Sequence, residues 1–309
     1  MDGSSPTVAV KQALEGRDSV VRGVVVILIG SVLFGSMAVC VRLAAREMAA
    51  QQITFVRFLG SLLVLLAFRH GQSLRPRSGR WAALWLRGLL GSAAISLYYA
   101  AIAGAGAGFA TLLQCTYPVY TALFATRLLG ERFDARLGFA LLCSLTGATV
   151  IVLPPVGVAP AIGVAGLCAL GAAVLAGAAV ATARHLRLTE SAYLVTTYFM
   201  AIGTAFSAPA LLSGLPAISS TLLLALAGVV LTSVAGQMML HHGLGFAPAT
   251  QASLAAATST VTAVTLSALF LGEQLGPSTL VGALLLLGAV ALASGRRAPQ
   301  PEPLSPPLP

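Results

Sequence analysis

The stretch LLGERF at Leu128–Phe133 is followed 142 residues later by FLGEQL at Phe270–Leu275, so one Leu-Gly-Glu pattern occurs twice. Each copy stands at the end of a long apolar run, in a chain of 309 residues that has only nine acidic ones. A carboxylate at the C-terminal end of a helix meets the negative end of the helix dipole, which costs about 0.3–1 kcal/mol. An energetically unfavourable position for a carboxylate that occurs twice indicates that one structural corner is present in two copies of the same unit.

The composition indicates that the solvent of this chain is a lipid bilayer. Hydrophobic residues make up 57% of the sequence and charged residues only 9%, with a mean hydropathy of +0.91. A soluble domain has about 25% charged residues, so this chain lacks the residues to cover a water-facing surface. Its apolar runs are roughly 18–24 residues long, enough for a helix to cross about 30 Å of hydrocarbon, and the alternating pattern of membrane strands is absent. We therefore predict an all-α integral membrane protein.

Ten apolar runs have the length of a transmembrane helix, and short polar gaps separate them. The predicted spans are 22–44, 51–69, 81–102, 107–129, 136–154, 161–184, 190–212, 219–241, 247–271 and 276–294. Residues 1–21 are polar and of mixed charge, which predicts a loose cytoplasmic N-terminal tail. Residues 295–309 are rich in proline, which predicts a disordered C-terminal tail.

The ten spans divide into two halves of five. Aligning Ala110–Glu131 with Ala252–Glu273 gives seven identical residues in 22, and the uncharged break LPPVGVAPA at Leu153–Ala161 follows the fifth span. Since each half has an odd number of spans, the second half enters the membrane from the opposite side. The sequence therefore predicts two inverted five-helix repeats, 22–154 and 161–294, an arrangement common among secondary transporters.

The basic residues predict how the chain is oriented in the membrane. The gaps on the side of the N-terminus hold most of them, whereas the other side holds only Arg42 and Arg46. The residues assigned to the first side are Lys11, Arg17, Arg22, Arg69, Arg75, Arg77, Arg80, Arg87, Arg127, Arg132, Arg136, Arg184, Arg187, Arg296 and Arg297. Because cytoplasmic loops carry the excess of Lys and Arg, both termini are expected in the cytoplasm. Seventeen Arg against one Lys, with abundant Ala and Gly, indicates a GC-rich bacterial genome and hence the plasma (inner) membrane.

Several segments, taken in order, resemble one transporter family. YPVY at Tyr117–Tyr120 followed by LLGERF, and the later FLGEQL, resemble the fourth and ninth helices of the drug/metabolite transporter superfamily. GSVLFGSMAVCVRLA in the first span and FVRFL at Phe55–Leu59 in the second are similar to its first two helices. The resemblance is to the EamA-like group of ten-helix transporters and covers about residues 22–294. It implies alternating access to a central cavity between the two repeats.

The ninth span departs from the family pattern. The family often has a proline there that matches the proline of the fourth span, but in this chain Pro118 aligns with Thr260. The second repeat is therefore expected either to bend less sharply at this level or to use its Ser/Thr run instead.

Other classes of protein and of site find little support. The net charge of +9 lies in gaps rather than along a helical face, and no aromatic residues interleave with it, so no nucleic acid partner is expected. Four cysteines lie inside apolar runs without CxxC spacing, which predicts buried apolar side chains rather than a disulfide or a metal site. HExxH, GxSxG and acidic pairs within spans are absent, so we predict no enzyme, no catalytic residue, no metal and no cofactor.

Polar residues within the spans mark a candidate substrate cavity. Arg57 is expected to hold the anionic part of a substrate or an anion in the outer vestibule. The alternative is that its side chain reaches back to the outer interface or pairs with helix carbonyls. The other polar residues either line the cavity or form hydrogen bonds between helices. The predicted cavity residues are Arg57, Tyr98, Gln114, Tyr117, Thr121, Gln237, His241 and Thr258. For His241 the sequence allows either a protonation-linked gate or a histidine that faces water at a helix end.

A second set of residues is predicted to form a helix break and the two corners. These residues are Pro118, Gly130, Glu131, Gly272 and Glu273. Pro118 has no N–H and leaves the Gln114 carbonyl free. Arg127 and Arg132 are the nearest basic residues that could compensate for the charge of Glu131. Glu273 has no basic neighbour and is expected to accept N–H bonds at the start of the tenth helix or from a facing loop.

The Ala- and Gly-rich stretch Leu170–Ala181 in the sixth span has small residues on every face. Small residues let helices approach closely in membranes. This composition suits a helix that slides between two packed states.

We therefore predict a secondary transporter that moves a small organic metabolite, in the outward direction, by alternating access through a cavity between the repeats. Arg57 and the lack of buried carboxylates favour a neutral, zwitterionic or anionic metabolite. A membrane scaffold or assembly subunit and a channel-like facilitator are the alternatives. The expected partners are the metabolite and the lipid bilayer, and the sequence leaves a homodimer and the form of energy coupling open.

Overall fold

The structure, a computed structural model, describes residues 6–69, 71–77, 79–105, 113–152, 163–214, 216–271 and 277–294. Helices joined by short turns and loops account for these residues. They are α1 (Pro6–Ala44), α2 (Ala50–Ala67), α3 (Trp81–Ala105), α4 (Tyr117–Leu129), α5 (Ala135–Val152), α6 (Val164–Arg187), α7 (Ala192–Ser207) with a 3-10 extension (Ala208–Ser213), α8 (Ser220–Gly243), α9 (Ala249–Ala257), α10 (Ser259–Leu271) and α11 (Pro277–Ser294). Helices α1 to α8 correspond to the first eight predicted spans, α9 and α10 together to the ninth, and α11 to the tenth.

These helices have the dimensions and the surface of membrane spans. Within the described residues, six are long and apolar enough to cross a bilayer, and shorter apolar helices occur at Ala135–Gly147 and Leu280–Ala293. Large apolar side chains face outward, such as Leu224 (74% exposed) and Phe139 (60% exposed), while small ones such as Ala172 are buried. The predicted fold class is confirmed: an all-α integral membrane protein of ten transmembrane helices in two inverted five-helix repeats.

The start of α1 differs from the prediction. The sequence predicts a loose tail up to residue 21, whereas the helix begins at Pro6 and continues without interruption into the first span. Proline fits the first turn of a helix, and the Ala, Lys, Gln, Leu and Glu residues that follow favour helical structure. The helix therefore extends beyond the apolar run that marks the span.

The packing of the helices repeats when the two halves are exchanged. Helix α1 lies along α8, and their equivalents α6 and α3 lie along each other in the same way. Helix α4 packs on α6 as α10 packs on α1, while α2 pairs with its own equivalent α7 and α5 with α11. A pseudo-two-fold axis maps each of these helix pairs onto another of them or onto itself, which is the pattern that an inverted repeat produces. The two halves therefore interlock rather than sit side by side.

One close contact between the two halves occurs in two equivalent copies. A Cβ atom at Gly177 would lie 2.6 Å from the Tyr120 Cβ and 2.7 Å from the Thr121 backbone nitrogen. A Cβ atom at Gly35 would lie 2.5 Å from the Thr262 Cβ. Gly35 precedes Gly177, and Tyr120 precedes Thr262, by the same 142 positions that separate the Leu-Gly-Glu pairs. Glycine is required at both sites because the facing helix leaves no room for a side chain.

The fourth and ninth spans are both interrupted at a threonine. Thr116 Oγ1 donates to the Leu113 carbonyl at 2.7 Å, and Thr258 Oγ1 donates to the Ala255 carbonyl at 2.7 Å. In each case the backbone N–H of the threonine bonds to the same carbonyl as its hydroxyl, so a tight turn precedes the next helix. Of the two alternatives for the second repeat, the structure therefore has the break made by the Ser/Thr run. Pro118, in the first turn of α4, occurs only in the first repeat.

Candidate functional site

The predicted cavity residues are not all brought together. One group lies where α2, α3, α7 and α8 meet, and a second lies around the breaks of the fourth and ninth spans. The first group is Arg57, Gln237 and His241, and the second is Gln114, Tyr117, Thr121 and Thr258. Tyr98 packs in an apolar cluster that includes Leu113, the residue before Gln114.

One face of α8 carries a row of buried polar residues. Ser233, Gln237 and His241 are four residues apart and so share a helix face, and their exposed fractions are 0%, 4% and 0%. Arg57 of α2 is 6% exposed and donates from Nε to the Ser233 Oγ at 2.8 Å. The Arg57 side chain therefore contacts the second repeat and does not reach back to the interface.

The hydrogen bonds of His241 require a neutral ring with its proton on Nδ1. Nε2 lies 3.3 Å from Nη2 of Arg87 and 3.2 Å from Nε2 of Gln237, and both of these groups are donors. The His241 Nε2 must therefore accept. On the other side of the ring, Nδ1 lies 2.7 Å from the Thr196 Oγ1, whose hydroxyl donates to the Ala192 carbonyl at 2.8 Å. Because that hydroxyl proton is already used, Nδ1 is the donor to Thr196.

Burial excludes one of the two interpretations of His241, and the protonation-linked gate stays a prediction. Its side chain is fully buried, so the expectation of a histidine that faces water at a helix end is wrong. The neighbouring His242 is exposed instead and packs on the ring of Phe246. The bundle buries His241 because α3 and α7 both cover this face of α8.

The tautomer of His241 can be measured directly. In protein labelled with nitrogen-15 at its four histidines, we expect one histidine to show a neutral ring with the proton on Nδ1, a minority form for histidine in water. Substituting Thr196→Val should shift that signal, because the acceptor for Nδ1–H is removed. Loss of this signal in His241→Gln would assign it. If the signal that His241→Gln removes is instead that of a proton on Nε2, the described network is contradicted.

Arg87 is the central residue of this site, and the sequence analysis did not select it. Its side chain is 5% exposed, its Cζ lies 4.2 Å from the centre of the Phe199 ring, and its Nη2 contacts His241. Phe199 in turn packs edge-on against Phe58, the neighbour of Arg57, with ring centres 5.3 Å apart. A basic residue inside an apolar run, with no acidic residue near it in sequence, was the signal that could have identified Arg87.

The second group makes hydrogen bonds within and between helices. Tyr117 donates from its hydroxyl to the Ser253 carbonyl on α9 at 2.8 Å, which joins the two broken spans. Thr121 is buried and donates to the Tyr117 carbonyl at 3.0 Å, while Thr258 donates at the break itself. The Tyr117 hydroxyl therefore joins two helices, whereas the two threonine hydroxyls bond within their own spans.

Two amides near these breaks have an oxygen available for a further bond. The side-chain oxygens of Gln114 and Gln251 are buried and have no hydrogen-bond partner among the described residues. Buried polar atoms are normally paired, and an unpaired one costs about 1–3 kcal/mol. Gln251, at the start of the ninth span, was not selected from the sequence because a glutamine close to a helix end gives no signal of burial.

The Leu-Gly-Glu corner of the first repeat is built on the start of the ninth span. Gly130 ends α4 in the left-handed conformation (φ 64°). Glu131 then accepts from the backbone nitrogen of Ala249 at 2.6 Å, and from the backbone nitrogen and hydroxyl of Thr250 at 3.4 and 3.2 Å. Its charge therefore caps the N-terminus of α9, where the helix dipole is positive. These bonds, which offset the cost of its charge, come from the other repeat.

The second copy of the corner, Gly272 and Glu273, lies outside the described residues. Its predicted bonds to the start of the tenth helix therefore stay a prediction.

One end of the bundle is closed by arginines, and we call it the arginine end. Arg184 donates to the Leu244 carbonyl at 2.6 Å and Arg187 to the His241 carbonyl at 2.6 Å, so the end of α6 holds the C-terminal end of α8. Arg80, in the loop before α3, contacts the ring of His185 at 3.1 Å. These bonds satisfy carbonyls that a helix leaves unpaired at its C-terminus.

A cavity lies at the opposite end of the bundle. Its volume is about 140 Å³, and it is lined by Gln51, Thr54, Ser96, Phe206, Ser207, Pro209 and Ala210. Thr54 lies three residues before Arg57 on α2, so the two share a helix face. The cavity therefore reaches to within about one helical turn of the buried arginine.

Comparison with known proteins identifies the family. The chain matches the EamA-like transporter family over residues 21–153 and again over residues 164–295. The chain belongs to the EamA-like transporter family. The two matches coincide with the two repeats, and the family resemblance predicted from the sequence is confirmed.

Similar proteins include named transporters. The pseudopaline exporter CntI of Pseudomonas aeruginosa is 30% identical over 233 residues, which are 74% of this chain and 80% of that protein. Solute carrier family 35 member G1 of Mus musculus is 32% identical over 109 residues, 34% of this chain and 29% of that protein. A solved crystal structure with 20% sequence identity has a TM-score of 0.73 and covers 86% of this chain and 94% of its own, which shows the same fold.

This EamA-like transporter is thus a multi-pass membrane protein of a family that moves small molecules. Within the described residues, no group of three His, Cys, Asp or Glu side chains is placed to hold a metal ion. The site offers guanidinium and amide donors, aromatic rings and an imidazole that is fixed as an acceptor. Such a set of groups is suited to binding a polar group.

Proposed function

We propose that this EamA-like transporter exports a small organic metabolite by alternating access through a cavity between its two repeats. In this proposal the arginine end faces the cytoplasm of a bacterium, both termini are cytoplasmic, and the metabolite leaves through the end that holds the cavity. The excess of basic residues on the side of the termini supports this orientation. Export is supported by the similarity to the pseudopaline exporter CntI.

One observation carries the proposal. Both buried arginines of the first repeat bond to polar side chains of the second, Arg57 to Ser233 and Arg87 to His241. A buried charge inside a membrane is costly and is retained where it serves a pathway or a site. Because the partners belong to repeats of opposite topology, a movement of one repeat against the other would change the surroundings of both arginines.

Counterflow in liposomes tests this function. Vesicles that contain the purified protein and one unlabelled metabolite should take up the same metabolite in labelled form, with saturation, for at least one member of a panel of amino acids, organic acids and their conjugates. Arg57→Gln should lower this uptake about tenfold or more, because a hydrogen bond to a charged group contributes about 1.5–3 kcal/mol. Arg46→Gln, at the same end of the bundle but exposed, should leave uptake unchanged.

The same vesicles distinguish the alternatives. Ion-selective conductance without saturable counterflow would indicate a channel-like facilitator. Neither conductance nor counterflow across the panel would indicate a scaffold or an assembly subunit, and either result would contradict the proposal.

A further inference from the structure

We propose that Arg87 is an anion-binding residue and that the transported metabolite carries a carboxylate that this guanidinium binds. This inference rests on the proposed function, since it names the chemical class of the molecule that the site takes. It goes beyond the sequence prediction, which considered an anionic group at Arg57 and counted Arg87 only among the basic residues on the cytoplasmic side.

The guanidinium of Arg87 has unused donors. Its Nε and Nη1 are buried and have no hydrogen-bond partner among the described residues, and Nη2 contacts His241. No carboxylate in the described part of the chain contacts this side chain, which is 5% exposed. A buried charge without a counter-ion costs several kcal/mol, so an anion that reaches these two donors would offset an existing cost.

The residues around Arg87 hold the guanidinium in place without using its free donors. The face of the Phe199 ring lies against it, at 4.2 Å from Cζ to the ring centre. Gly91, one turn along α3, leaves space that a side chain would fill, because a Cβ there would overlap Nη1 and lie 2.6 Å from the Phe199 ring. Glycine at position 91 therefore leaves room for the Nη1 group of Arg87.

His241 is a positioning residue for Arg87. Its Nε2 can only accept, since Nδ1 carries the proton that Thr196 receives. The ring takes one of the two N–H groups of Nη2. The other N–H of Nη2 lies on one edge of the guanidinium beside a free donor, Nε–H or Nη1–H, and these two form the pair of donors for a ligand. Two N–H groups of a guanidinium match the two oxygens of a carboxylate, which gives a bidentate and charge-assisted pair.

The charges nearby favour an anion over a cation. Arg57 is buried on the same side of α8, and Arg80, Arg184 and Arg187 lie at the arginine end above this site. Glu131 and Glu190 also lie at this end, and Glu190 is a buried carboxylate that the sequence analysis did not expect, but both accept backbone N–H bonds and the arginines outnumber them. An excess of one sign of charge raises the local concentration of the opposite sign. A cationic metabolite would meet repulsion from every one of these arginines.

Thermal unfolding of the purified full chain in detergent tests the proposal. The probes are acetate, benzoate and succinate, each compared with its neutral amide at the same concentration and ionic strength. We expect at least one acid to raise the melting temperature by about 3 °C at ten times its dissociation constant, and the amides to have no effect. Arg87→Gln should abolish this shift, and Arg87→Lys should reduce it because an ammonium cannot form the bidentate pair.

Two controls separate a binding role from a structural one. Arg136→Gln removes an exposed charge near the arginine end and should keep the full shift. Without any acid, Arg87→Gln should melt no lower than the unsubstituted protein, because it removes an uncompensated buried charge. A lower melting temperature would show that Arg87 is structural and would overturn the proposal, as would acids that stabilise Arg87→Gln equally or not even the unsubstituted protein.

This experiment is independent of transport. A shift that depends on Arg87, together with failed counterflow, would leave the anion site standing and refute the transport function. Counterflow of a metabolite without any carboxylate-dependent shift would support the transport function and refute the anion site. Stabilisation by anionic lipid alone, with none by the free acids, would identify a headgroup as the ligand and also refute the proposal.

Discussion

Leucine in place of Gly177 is expected to prevent the chain from folding into a stable bundle. The new side chain would have to occupy the space of the Tyr120 Cβ and the Thr121 backbone, which lie 2.6 and 2.7 Å from an ideal Cβ position. Overpacking costs about 1–3 kcal/mol where side chains can move, and a facing backbone cannot move without displacing its helix. We expect a loss of about 3 kcal/mol or more, seen as loss of the monodisperse peak in size-exclusion chromatography.

The inverted repeat supplies a second test of the same contact. Gly35→Leu should be equally damaging, because a Cβ at Gly35 would meet the Thr262 Cβ at 2.5 Å in the equivalent position. Gly288→Leu is the matched control, since Gly288 is an exposed helical glycine and a Cβ placed on it would have no neighbouring heavy atom within 4 Å among the described residues. A monodisperse, thermally stable Gly177→Leu protein would show that the sixth span does not lie this close to the fourth span.

Removal of the Glu131 carboxylate is expected to destabilise the protein by about 2–3 kcal/mol. Glu131→Ala would leave the backbone nitrogens of Ala249 and Thr250 without their acceptor, and the cap residue Pro248 has no side-chain group to replace it. Hydrogen bonds to a charged group contribute about 1.5–3 kcal/mol, and the favourable interaction with the helix dipole is lost in addition. The measurement is the midpoint of denaturant unfolding in detergent.

Two further variants make this prediction specific. Glu131→Gln keeps one acceptor oxygen and loses the charge, so it should show about half of the effect. Glu47→Ala removes an exposed carboxylate from the opposite end of the bundle and should change stability by less than about 0.5 kcal/mol. Equal midpoints for Glu131→Ala and Glu47→Ala would contradict the cap.

The fold could be predicted from the sequence because the bilayer imposes it. Length and hydropathy determine a transmembrane helix almost alone, and where both ends are described the predicted spans agree with the helix ends to within a few residues, as with 219–241 against Ser220–Gly243. The predicted start of the fourth span, at 107, lies outside the described residues. The exception is α1, whose polar first turns lie outside any apolar run. Helical propensity can extend a helix into water, and the pattern of apolar residues does not report that extension.

The site was predicted only in part, because a sequence gives the depth of a residue and not its neighbours. Arg87 and Arg184 were both counted as topology signals, yet one is buried against Phe199 and the other bonds to a carbonyl at the end of α8. Gln237 and His241 were selected correctly as a pair on one helix face, since that relation is local. Their partners on α3 and α7 depend on packing between helices that are distant in sequence.

Glu131, in the first Leu-Gly-Glu corner, shows the same limit. The cost of its charge at the end of α4 is a local property and was predicted. The groups that offset this cost are backbone nitrogens 118 and 119 residues away, in the other repeat. Neither its neighbours in sequence nor the repeat itself indicated that the two halves meet at this point.

The breaks at Thr116 and Thr258 have the same hydrogen bonds but differ in stiffness. In the fourth span Pro118 has no N–H, so the chain could never straighten into a continuous helix at this level. In the ninth span the equivalent residue, Thr260, keeps its N–H, so a continuous helix would lose no backbone donor at this position. The two breaks therefore have the same shape, but only the ninth span keeps the N–H that a continuous helix needs at this position, and we expect it to be the more flexible of the two.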